Sequence, residues 1–187
     1  MMRMLPNMAV IAPCDAEEAR KAVVAAAKTD GPVYLRFGRA STPVFTTPDT
    51  PFQIGKALEL WKSNAPKVAI FSTGSLGYSA LTVARALAEE NIQTIVLHIP
   101  TIKPLDTESI LDVARLAGRV ITVEEHQVAG GFGSAVAEFL SEHNPVPIKK
   151  LGVQDQFGQS GTPGELLAHY GLDAFHIEKA VHEFVRI

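Results

Sequence analysis

Short apolar runs alternate with amphipathic stretches along most of this chain, and that alternation leaves few folds open. Residues 67–72, Lys67-Val68-Ala69-Ile70-Phe71-Ser72, are apolar at consecutive positions rather than at every second one. A strand of that kind is buried on both faces, as in a parallel sheet covered by helices. Residues 93–99, 119–124 and 147–153 read the same way. Between them, residues 78–91 place Leu81, Val83, Ala84 and Leu87 on one helical face, and residues 107–117 and 131–143 are also predicted helical. Asp106 or Thr107 opens the second of these helices and Gly118 closes it. Residues 54–60 form a candidate edge strand, alone or in a hairpin. A short helix over 162–170 has Pro163 in its first turn, and a last helix covers 174–185. The expectation is an α/β fold: a doubly wound, mostly parallel sheet of about five strands.

A partial βαβ unit precedes it. Residues 8–12 are an apolar strand stopped by Pro13. Asp15 is an N-cap with Glu18 three residues on, and residues 16–28 are rich in helix formers. Asp30-Gly31-Pro32 breaks that helix and residues 33–37 form the next strand, parallel to the first. Pro43, Pro48 and Pro51 then punctuate a stretch without periodicity, read as an extended linker. The expected units are therefore 1–40, a linker over 41–53, and a second domain over 54–187. Two strands and one helix make a poor core, so residues 1–40 should lean on the second domain. The chain opens almost directly into a strand, which reads as a fragment or a split subunit.

Composition narrows the function classes. A net charge of −3 argues against a broad basic surface for nucleic acid. No apolar run approaches the length of a membrane span. Cys14 is the single cysteine, so no intrachain disulfide framework exists and a reducing, cytoplasmic setting is expected.

Chemistry has few places to sit. Thr73-Gly74-Ser75 lies in a strand-to-helix turn, where amides at a helix N-terminus cradle anions; a tight turn relieved by glycine is the plainer reading. Glu124-Glu125-His126 precedes Gly130-Gly131-Phe132-Gly133 at the carboxyl end of a strand. Carboxylates beside a histidine suit acid–base work, an interface or a helix cap. The six histidines form no HxH or HExxH pair, and no histidine lies near Cys14 in sequence. Arg36 and Arg39 end the second strand, placed either for a phosphate or carboxylate or for a salt bridge across the domain boundary.

These residues also carry a resemblance. Pro13-Cys14-Asp15 followed by Asp30-Gly31-Pro32-Val33-Tyr34-Leu35-Arg36-Phe37-Gly38-Arg39 is similar to the end of the pyrimidine-binding domain of transketolases. Thr73-Gly74-Ser75, Pro100-Thr101-Ile102-Lys103-Pro104-Leu105-Asp106, Glu124-Glu125-His126 with Gly130-Gly131-Phe132-Gly133, and Phe157-Gly158-Gln159-Ser160-Gly161 resemble successive turns of their C-terminal domain. Order and spacing carry the match over essentially the whole chain.

The resemblance implies transfer of a two-carbon ketol unit between sugar phosphates in carbohydrate metabolism, as in the pentose phosphate pathway, by a dimeric enzyme using thiamine diphosphate and Mg²⁺. It implies that Arg39 binds the substrate phosphate, a task that suits a planar guanidinium. Arg36 has counterparts in related synthases but not in many transketolases. The family's cofactor glutamate and metal ligands have no counterpart here, and no Gly-Asp-Gly occurs. No catalytic, cofactor-binding or metal residue is therefore expected in this chain, which should act only with the remaining domains or subunit. The same architecture occurs in 1-deoxyxylulose-5-phosphate synthase and in the β subunit of 2-oxoacid dehydrogenases. A non-enzymatic assembly module, with residues 73–77 as its anion site, is the third reading.

Overall fold

The computed structural model describes residues 1–186. After a 3-10 turn over Met2–Met4 come β1 (Ala9–Ile11), α1 (Ala16–Ala26), β2 (Val33–Leu35), β3 (Leu58–Lys62), β4 (Val68–Ser72), α2 (Leu76–Glu89) and β5 (Thr94–His98). Then follow β6 (Thr101–Lys103), α3 (Thr107–Ala117), β7 (Val120–Gln127), α4 (Phe132–His143), β8 (Ile148–Val153), α5 (Pro163–His169) and α6 (Ala174–Val185).

The larger sheet has the order β3-β5-β4-β7-β8. Neighbours among β5, β4, β7 and β8 run parallel, and β3 lies antiparallel at the edge. The doubly wound expectation holds. β3 pairs with β5 and not with β4, so it is an edge strand but not half of a hairpin. β4 shows why its apolar positions are consecutive. Val68 and Ile70 pack with α2 and α6, while Ala69 and Phe71 pack with α3 and α4. Each face needs its own apolar side chains, so every position of the strand is buried.

Local signals place the helix ends. Asp106 Oδ1 accepts from the Ser109 amide at the start of α3, and Gly118 closes that helix at φ 68°. A left-handed residue there favours glycine.

The smaller sheet has the order β2-β1-β6. β1 and β2 are parallel, as expected of a βαβ unit. β6, which the sequence reading missed, joins β1 antiparallel. It comes from just past Pro100, so residues on both sides of the linker build this sheet. The linker itself carries neither helix nor strand, yet it is strapped to α1. Lys21 Nζ donates to the carbonyls of Thr47 and Thr50 at 2.5 and 2.6 Å. No helix among the described residues is long and apolar enough to cross a membrane.

Candidate functional site

β4 leads through α2 to β5 on one side, whereas β7 leads through α4 to β8 on the other. The carboxyl ends of β4 and β7 therefore diverge into a crevice, the usual ligand position in such sheets. Here the carboxyl edge of the smaller sheet lies over it. Gly74 N donates to the Ala12 carbonyl at 3.0 Å, and Arg36 Nη2 donates to the Glu125 carbonyl at 2.7 Å. A cavity of about 260 Å³ remains at the joint, with Tyr34, Arg36, Thr73, Glu124 and His126 in its wall.

Glu124 is 1% exposed, and its two carboxylate oxygens accept the amides of Phe132 and Gly133 at 2.7 Å each. The carboxylate thus satisfies free donors at the start of α4. Burial pushes its pKa up, opposed by those amides and by His126 and Lys150. The adjoining glycines permit this approach. A Cβ at Gly133 would overlap Thr122 Oγ1 and lie 3.0 Å from Glu124 Oε1. Of the acid–base, interface and capping readings, this geometry makes Glu124 a cap.

The neighbouring candidates Glu125 and His126 are engaged within the second domain. β7 runs past Glu124 to Gln127, so Glu125 and His126 are strand residues as well. Glu125 Oε2 accepts from Ser75 Oγ at 2.8 Å. His126 is exposed and its Nδ1 faces the Gln127 carbonyl at 2.9 Å. Gly74 sits at φ 62° with its amide given to Ala12, so the turn over 73–77 docks the N-terminal unit and that amide is spent. Arg36 and Arg39 part company. Arg36 reaches the second domain, while Arg39 is exposed with no hydrogen bond or ion pair among the described residues.

The structure adds a cluster that sequence reading missed. Glu18 Oε2 lies 2.9 Å from His98 Nε2 and accepts the Cys14 amide at 2.7 Å. His98 Nδ1 lies 3.4 Å from Ser72 Oγ. All four residues are buried. Burial would raise the Glu18 pKa, but the His98 imidazole and the Cys14 amide outweigh it and hold it below the usual range. Burial, with Glu18 adding to it, pushes the Cys14 thiol far up, so it is no activated nucleophile. The ligand-type atoms of Cys14, Glu18 and His98 lie within 4.8 Å of one another. Only pairing of residues far apart in sequence could have revealed this group.

The chain matches the family model "Transketolase, C-terminal domain" over residues 55–177 and "Transketolase, pyrimidine binding domain" over residues 1–44. It is 41% identical over 186 residues to an apulose-4-phosphate transketolase subunit of Phocaeicola vulgatus, covering 99% of this chain and 59% of the relative. It is 37% identical over 185 residues to a 1-deoxy-D-xylulose-5-phosphate synthase of Rippkaea orientalis, covering 96% of this chain and 29% of the relative. A solved structure described as "Split gene transketolase, inactive beta4 tetramer" superposes with a TM-score of 0.93 at 44% identity, covering 99% of this chain and 60% of that one. This chain thus spans about 60% of the transketolase subunits it matches.

Proposed function

Since the chain belongs to the transketolase family, we propose that it supplies the acceptor-phosphate contact and the C-terminal domain of an enzyme moving a two-carbon ketol unit between sugar phosphates. The observation that carries this is Arg39. Its guanidinium is exposed and has no partner among the described residues, on a loop that starts at the carboxyl end of β2. A planar fork with free donors is what a phosphate dianion requires. Arg36 lies three residues away, but its Nη2 is turned to the Glu125 carbonyl, so Arg39 is the better phosphate ligand.

Thiamine diphosphate, with Mg²⁺, would supply the carbanion chemistry of the complete enzyme. The two buried glutamates of this chain, Glu18 and Glu124, do not fit that cofactor. Both oxygens of Glu124 hold amides of α4, and Glu18 holds Cys14 and His98. Neither glutamate has a role left for an aminopyrimidine. In this reading the cofactor is held by domains or a subunit that this chain joins. One relative is named as a transketolase subunit and another as a split-gene tetramer; both names favour such joining, and the second favours contact with further copies of this chain. A reducing cytoplasm suits the buried free thiol of Cys14.

The test is ketol transfer measured with thiamine diphosphate and Mg²⁺, for this chain alone and mixed with the cofactor-bearing portion. Activity in the mixture only is expected. Arg39→Ala should raise KM for a phosphorylated acceptor, and an unchanged KM would overturn its assignment. The synthase relative favours a second reading. Formation of deoxyxylulose phosphate, without ketol transfer, would establish it.

A further inference from the structure

Arg39 has no partner of its own among the described residues, so its position must come from the backbone that carries it. That backbone is held at two places. On the upstream side, Arg36 N donates to the Ile11 carbonyl at 2.8 Å, extending the pairing of β2 with β1. On the downstream side the hold is Asp15. Its Oδ2 accepts the amides of Phe45 and Thr46 at 2.9 and 2.7 Å. Its Oδ1 accepts Thr46 Oγ1 at 2.7 Å and the Glu18 amide at 2.9 Å. Four donors converge on one carboxylate that is 4% exposed, and Thr46 is 6% exposed. Thr42 Oγ1 adds a contact to the Cys14 carbonyl at 3.4 Å.

One carboxylate thus ties the start of α1 to the far end of the loop bearing Arg39. Burial works against the charged form of Asp15, but the amides of Glu18 and Thr46, the Thr46 hydroxyl and the Phe45 amide outweigh it and keep its pKa below the usual range. The bonds are therefore charge-assisted, and stronger than neutral ones. Without them, the segment downstream of Arg39 keeps only the long Thr42 contact to Cys14 and, beyond residue 46, the Lys21 bonds to the carbonyls of Thr47 and Thr50, so residues 37–46 are held less closely. An exposed arginine on a slack loop samples many positions, and small displacements of a binding group have large kinetic costs.

We propose that Asp15 is a positioning residue for Arg39, and through it sets discrimination for phosphorylated acceptors. This rests on the phosphate role of Arg39. Asp15 touches no substrate. It holds the segment through which Arg39 does.

The experiment compares Asp15→Asn with Arg39→Ala in the enzyme assembled from this chain and its cofactor-bearing portion, using an acceptor with and without its phosphate. Asp15→Asn puts an amide NH₂ among donors, or removes the charge that holds them. The expected result is a KM for the phosphorylated acceptor raised roughly tenfold or more, with kcat and the unphosphorylated acceptor little changed. In parallel, hydrogen exchange on this chain should quicken over residues 37–47 while β4 and β7 stay protected. If Arg39→Ala leaves the ratio of the two acceptors unchanged, the phosphate role of Arg39 fails and this proposal with it. If Arg39→Ala collapses the ratio but folded Asp15→Asn does not, only the positioning role is overturned. Should Asp15→Asn not fold, Thr46→Val gives the same readout, since it removes one strap bond and leaves the cap of α1 intact. An unchanged acceptor ratio in folded Thr46→Val, with exchange over residues 37–47 also unchanged, overturns the proposal.

Discussion

Glu18 on α1 and His98 at the end of β5 meet at 2.9 Å in a site where the imidazole is fully buried. Each belongs to a different unit of the chain, so their contact couples the two. Removing one partner from a buried pair leaves the other polar group uncompensated. His98→Leu is expected to cost about 3–5 kcal/mol, and the double substitution Glu18→Leu with His98→Leu less than the sum of its parts. Urea unfolding of the four members of the cycle measures this; strict additivity would remove the coupling.

Stability should fall in acid for an identifiable reason. Asp15 and Glu18 have folded pKa values below their ordinary ones. Their contribution is therefore complete above the unfolded carboxylate pKa, about 4, and is lost as pH drops through the lower folded value. Asp15→Asn should flatten that acid limb. Glu124 has the opposite sign. Its raised pKa means its contribution is complete below the unfolded value and declines as pH rises through the folded one. Thermal unfolding across pH for Asp15→Asn and Glu124→Gln separates the two limbs.

Gly133→Ala should destabilise the chain by roughly 1–3 kcal/mol, since its Cβ has no room beside Thr122 Oγ1 and Glu124 Oε1. Gly158→Ala serves as the control, because nothing lies within 4 Å of that added Cβ. Equal unfolding midpoints for the two variants would show that the α4 start adapts easily.

Cys14 should resist thiol reagents in the native state. It is 2% exposed and its thiol is pushed far up by burial beside Glu18. Labelling at mildly alkaline pH should be slow in buffer and fast in denaturant. Rapid native labelling would mean that the joint opens.

The parts of this molecule that the sequence announces are those governed by neighbours in the chain. Consecutive apolar residues over 67–72 mark a strand buried on both faces, and Asp15, Asp106 and Gly118 mark helix ends, because capping works within a few residues. The end of the second strand was likewise legible as a place for arginines. β6 was not, since three residues after a proline show no period and gain their pairing only from β1. Spacing also left Arg36 and Arg39 even, and only the resemblance set Arg39 apart. Two arginines three apart look alike until the Glu125 carbonyl, 89 residues from Arg36, claims one of them. The Glu18–His98 pair, 80 residues apart, stayed hidden for the same reason.

The place of β1 between β2 and β6 also bears on how the chain is made. β2 follows within a few dozen residues, but β6 and His98 emerge only after most of the second sheet's first half has been synthesised. Until then β1 carries one open edge, and Glu18 lacks its imidazole. Native closure of the first unit must therefore wait for residues 98–103 of the second, and nascent chains halted before them should be the ones that most need protection from aggregation.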